Sequence, residues 1–223
     1  MNEHLLKRNK KIYEKLNIDK WHSKGITGKG VKVAVLGFGG VLENEKRYLT
    51  NVNTPANGTG SYHDGDEIIH NVAPEAKIYG INVMKHGWSF EQALRWIMDN
   101  NIDVVCCSLR KYNWSDELEE LSKQAWDNGI IMIDSADNEG REIDAYPALD
   151  PHWFVVGAYD GKDGKEGYSS YGPKLDCLMY TGLAVEAREN YYVPITHTSG
   201  TTQLVAGMAA LLKEYMNLSL IHI

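Results

Sequence analysis

Eight histidines, three cysteines and one serine set just ahead of the most apolar segment are the residues from which this 223-residue chain could build chemistry. The serine is Ser199. The segment after it, Leu204-Val205-Ala206-Gly207-Met208-Ala209-Ala210-Leu211-Leu212, is apolar on every side if helical, which places it in the middle of a fold. A serine before such a helix can simply cap it. It can also be a nucleophile, because the unpaired N–H groups and dipole of a helix N-terminus favour developing negative charge. The cysteines are odd in number, and Cys106 and Cys107 are adjacent inside an apolar run, so neither a disulfide framework nor a metal knuckle fits them. They read as buried, reduced thiols of a cytoplasmic protein. His70 and His152 lack partners at ligand spacing, and His63 and His197 read as polar loop residues. No metal site and no cofactor is expected.

These residues must be positioned by alternating strands and helices. Strand-length apolar runs at Val31–Leu36, Lys77–Met84, Ile102–Leu109, Ile130–Ser135 and Phe154–Ala158 read as buried on both faces. Between the second and third, Ser89 and Gln92 have capping-box spacing ahead of the stripe Ala93, Leu94, Ile97 and Met98, which predicts a crossover helix over Ser89–Asn100. A second helix is expected over Ser115–Asn128, ended by Gly129, and a third over Gln203–Asn217. The pattern is that of an α/β domain around a mostly parallel sheet.

With 23 Lys+Arg against 30 Asp+Glu, the formal net charge is −7. That balance argues against a surface that tracks phosphates, so nucleic acid is not an expected partner. A domain of this length buries about 70% of its unfolded surface and needs no staple. The charged start, Met1 to Arg8, reads as neither secretory signal nor membrane anchor, and no apolar run is long enough to span a bilayer. The expected organisation is an N-terminal helical arm over 1–24, one domain over 25–217, and a closing Leu218-Ser219-Leu220-Ile221-His222-Ile223. That tail resembles a translated sequencing adapter and is expected to be foreign to the natural chain.

Four segments in order carry a family resemblance. They are Gly25-Ile26-Thr27-Gly28-Lys29-Gly30-Val31 running on to Leu36; Val72-Ala73-Pro74-Glu75-Ala76-Lys77 running on to Met84; Asp103-Val104-Val105 to Leu109 with Asp137-Asn138-Glu139-Gly140; and Tyr168-Ser169-Ser170-Tyr171-Gly172-Pro173 with Thr198-Ser199 and Val205 to Leu212. Together they resemble the subtilisin-like serine proteases. The resemblance implies a three-layer αβα sandwich and a cis bond at Tyr146-Pro147. It also implies a serine nucleophile, a histidine base, an orienting aspartate and an oxyanion donor.

Counted back from Val205, the family's nucleophile falls on Ser199, and its oxyanion asparagine on Asn138. The other two positions depart from the pattern. The orienting aspartate falls on Gly37, which has no side chain, and the histidine falls on Ser61, which cannot accept a proton as imidazole does. His63 or His197 could serve as a substitute base. The family's substrate edge after the third strand falls on Ser108-Leu109-Arg110-Lys111, and Arg110 brings a long side chain where bare backbone is usual. Asp137 replaces a small residue at the wall of the primary specificity pocket, where it could favour a basic side chain or pair with Arg110 across the cleft. The opposite lip, Met84 to Trp88, looks shortened.

The reading that follows is a subtilase domain with an incomplete triad, kept as a peptide- or protein-binding or regulatory module. Two alternatives stand beside it: a working endopeptidase that uses His63 or His197, and a truncated or decaying reading frame. Oligomeric state is not legible.

Overall fold

The computed structural model describes residues 3–37, 49–53, 66–84, 87–188 and 191–221. In chain order the elements are α1 (Glu3–Lys15), α2 (Ile18–Ser23), β1 (Lys32–Gly37), β2 (Leu49–Asn51), α3 (Asp66–Val72), β3 (Lys77–Asn82), α4 (Phe90–Asp99), β4 (Val104–Cys107), α5 (Asp116–Asp127), β5 (Ile131–Ser135), β6 (Trp153–Tyr159), β7 (Cys177–Tyr180), β8 (Leu183–Arg188), β9 (Tyr191–Ile195) and α6 (Thr198–Ile221). Seven strands form a parallel sheet in the order β2-β3-β1-β4-β5-β6-β7, and β8 and β9 form a separate antiparallel pair. The fold is α/β, with helices covering a parallel sheet as expected from the alternating pattern.

One side of the sheet packs on α4 and α5, through Ala93, Leu94, Ile97, Leu118 and Leu121. The other packs on α3 and α6, through Ile68, Ile69, Val72, Leu204, Ala206 and Ala210. The capping box at Ser89 forms as its spacing predicts: Gln92 N–H donates to Ser89 Oγ and Ser89 N–H to Gln92 Oε1. The peptide bond Tyr146-Pro147 is cis.

The N-terminal helix does more than lie on the surface as an arm. Leu5, Asn9 and Tyr13, spaced by four on one face, are all buried. Asn9 donates to the Ala184 carbonyl and accepts from the Ala184 N–H at 3.0 and 2.7 Å, which ties α1 to β8. No helix among the described residues is long and apolar enough to cross a membrane.

Gly207 sets the approach of α6 to α3. A Cβ added there would stand 2.7 Å from Val72 Cβ, an atom fixed to a buried backbone. Gly207→Val is therefore expected to cost about 1–3 kcal/mol by overpacking, although alanine or valine at an exposed helical site would gain on glycine. Urea denaturation of the variant checks this.

Candidate active site

Ser199 is the second residue of α6 and is half-buried. Its helix starts five residues earlier than the apolar pattern suggests, because its first turn is held from outside. Thr198 N–H donates to Asn138 Oδ1 at 2.9 Å, and Thr198 Oγ1 donates to the same oxygen at 3.0 Å. Thr201 and Thr202 each return a hydroxyl to the Thr198 carbonyl at 2.8 Å. A backbone N–H can only donate, so the Asn138 amide oxygen must face Thr198. That orientation leaves the Asn138 NH₂ as a donor beside the start of the helix, where a developing oxyanion would need one.

The described residues bring no imidazole into hydrogen-bond contact with Ser199. His197 is exposed, and its ring lies edge-on to Tyr168 with centroids 5.6 Å apart. The Tyr168 hydroxyl bonds the Thr196 carbonyl, so the loop ahead of Ser199 is tethered to that ring. His22 Nε2 contacts the Val72 carbonyl, and His152 Nδ1 contacts Asp150 at 2.9 Å. His70 lies within α3. Gly37 closes β1 and is buried in register with Asn82, and its carbonyl accepts from Val83 N–H at 3.1 Å. Ser61 and His63 lie outside the described residues.

Beyond β4, Ser108 has a buried hydroxyl with no hydrogen bond among the described residues, Leu109 is buried, and Lys111 exchanges backbone hydrogen bonds with Tyr146 at 2.7 and 2.9 Å. Arg110 turns inward between these and the β5 end. Its Nε lies 2.5 Å from Asp137 Oδ2, its Nη2 lies 2.9 Å from Asp144 Oδ1, and its Nη1 meets Glu139. Arg110 and Asp137 thus pair across the cleft. Burial pulls the guanidinium's pKa down, but Asp137 and Glu139 outweigh it and raise it further above its already high ordinary value. Asp137 holds φ 76°, and its Oδ1 accepts from Asn138 N–H at 2.7 Å, which fixes the turn that carries Asn138.

Sequence reasoning missed three participants here. Glu139 and Asp144 complete the acidic wall, and Asp134 on β5 lines the inside of the same cavity. Nothing in their local spacing marks them, since the Glu139–Asp144 loop folds back to Arg110 only in three dimensions. On the other lip, Gly87 N–H donates to the Met84 carbonyl at 2.7 Å and Trp88 N–H to the Asn82 carbonyl at 2.8 Å. These two bonds hold Gly87 and Trp88 against the end of β3, just ahead of the Ser89 cap; residues 85–86 of that lip lie outside the described residues.

A family model described as "Subtilase family" matches residues 50–220. The chain is 30% identical to a thermostable alkaline protease of Halalkalibacterium halodurans, over 89% of this chain and 61% of the relative. It is 29% identical to subtilisin BL of Lederbergia lenta, over 86% and 80%. The chain thus spans about three-fifths of the first of these relatives. Among solved structures, the prenylagaramide maturation protease PagA superposes with a TM-score of 0.76 at 21% identity, over 91% of this chain and 82% of that one. The self-cleaved protease domain of PatA superposes with a TM-score of 0.72 at 19% identity, over 86% and 84%.

Proposed function

This chain belongs to the subtilase family, and from that premise we propose that it is a subtilisin-like domain kept to bind a peptide or protein rather than to cut one. The observation that carries the reading is the surroundings of Ser199. The helix start and the Asn138 amide suit an oxyanion, yet no described imidazole is placed to take the serine's proton, and β1 ends in Gly37 where a carboxylate would orient that imidazole. A serine without a base is a poor nucleophile. What remains is a cleft between β4 and β5 whose donors and charges can hold a chain without cleaving it.

A fluorophosphonate probe tests this directly, because it reports serine nucleophilicity and needs no knowledge of the substrate. The expected result is no covalent mass shift at Ser199 under conditions that label a working subtilisin to completion. Labelling lost in Ser199→Ala and in either His63→Ala or His197→Ala would instead favour an endopeptidase with a substitute base.

A further inference from the structure

The cavity behind Arg110 is built unlike a plain apolar slot. It has a volume of about 10 Å³, room for about one water molecule, and its wall includes Leu109, Asp134, Asp137, Asp144, Tyr146 and Ser170. Its outer rim is acidic. Asp137, Glu139 and Asp144 all converge on the Arg110 guanidinium, while Arg141 reaches only the two outer carboxylates, Glu139 at 2.7 Å and Asp144 at 3.1 Å. The inner end is acidic too. Asp134 is 2% exposed, lines the cavity, and finds no hydrogen-bond partner for Oδ1 among the described residues.

An unpartnered buried carboxyl oxygen costs free energy unless something fills its place, and a donor entering the cavity would supply that partner. Arg110 does not reach it. The guanidinium stops at the rim, where its Nε is buried against Asp137 without a well-aligned hydrogen bond. The Tyr112 ring backs it, 5.2 Å from the guanidinium carbon. The chain's own cation therefore sits across the mouth of a pocket whose rim, with that side chain removed, sets three carboxylates, Asp137, Glu139 and Asp144, against one remaining guanidinium, that of Arg141.

We propose that this pocket is selective for a basic side chain, arginine or lysine, of a bound peptide, and that Arg110 is its internal occupant, which the ligand must displace. The proposal rests on the peptide-binding reading but not on whether Ser199 reacts. Displacement exchanges one cation for another at the rim, so the carboxylates are never left bare. The ligand's added gain is the deeper reach to Asp134. Burial holds the Asp134 carboxyl well above the usual carboxylate range, so it accepts or donates there without the full cost of a buried charge.

The test is equilibrium binding of benzamidine, a planar cation, against benzamide, its neutral counterpart of nearly the same shape. Arg110→Ala is expected to bind benzamidine at least about tenfold more tightly than the natural chain does, with no comparable gain for benzamide. Adding Asp137→Asn and Asp144→Asn, which takes away the two rim charges that line the cavity, is expected to remove most of that gain. Equal affinity for the two probes, or no gain in Arg110→Ala, overturns the proposal. Should Arg110→Ala fail to fold, Arg110→Gln, which keeps a planar end and removes the charge, is judged by the same outcomes. Because the readout is binding, fluorophosphonate labelling of Ser199 could overturn the non-cleaving reading and leave this selectivity standing.

Discussion

A variant carrying Ser61→His and Gly37→Asp together is expected to hydrolyse a chromogenic peptide amide about 10⁶ times faster than the natural chain, with the gain divided unequally between the two changes. In subtilisin, losing the histidine costs about 2 × 10⁶ in turnover but losing the aspartate alone costs about 3 × 10⁴. Ser61→His alone should therefore recover only about 10²-fold, since an unoriented imidazole supplies a base in the wrong tautomer much of the time. The aspartate then supplies the remaining factor of about 10⁴. Gly37→Asp alone should give no rate and should lower stability, because it buries a carboxylate at the end of β1 without the imidazole that would pair with it. Turnover is best compared in an Arg110→Ala background, so that the closed pocket limits none of the variants. A folded double variant with no gain would mean that Ser61 does not stand where a base is needed, and the proposed loss of catalysis would need another cause.

What could be read in the sequence is what local chemistry decides. Ser89 and Gln92 cap α4 because both partners sit within one turn, and the buried strands announce themselves by continuous apolar runs. The start of α6 could not be read that way. Thr198, Gly200, Thr201 and Thr202 have poor helix propensity, and the turn they form is held by Asn138, sixty positions away in sequence. The same non-local logic hid the far side of the cavity. Arg110 and Asp137 stand out because each departs from a small residue in an otherwise matching segment, whereas Asp134, Glu139 and Asp144 depart from nothing a single sequence displays. The burial of α1 was masked by its own chemistry: the row Leu5, Asn9, Tyr13 has a polar middle, and only the backbone of Ala184 turns Asn9 into an interior residue.

Replacing Glu214 is expected to loosen the helix that carries Ser199 from its opposite end. Glu214 is 6% exposed, and its Oε2 accepts from three successive backbone N–H groups, Thr27 at 2.7 Å, Gly28 at 2.6 Å and Lys29 at 3.0 Å. Three convergent donors form a cradle for an anion, and here the anion is the protein's own carboxylate. The turn depends on Gly28, at φ 86°, where a Cβ would stand 2.8 Å from Ala73 Cβ, so the loop cannot readily re-aim its donors. A hydrogen bond to a charged group contributes about 1.5–3 kcal/mol, but water can reach the Thr27 and Lys29 ends of this cradle and replace part of the loss. Glu214→Ala is accordingly expected to cost about 2–4 kcal/mol, and Glu214→Gln, which keeps an acceptor oxygen but not the charge, about 1 kcal/mol. Urea midpoints of the two variants decide it. A shift of less than about 0.5 kcal/mol for Glu214→Ala, the range of ordinary surface changes, would show that the cradle does not hold α6 against the start of β1.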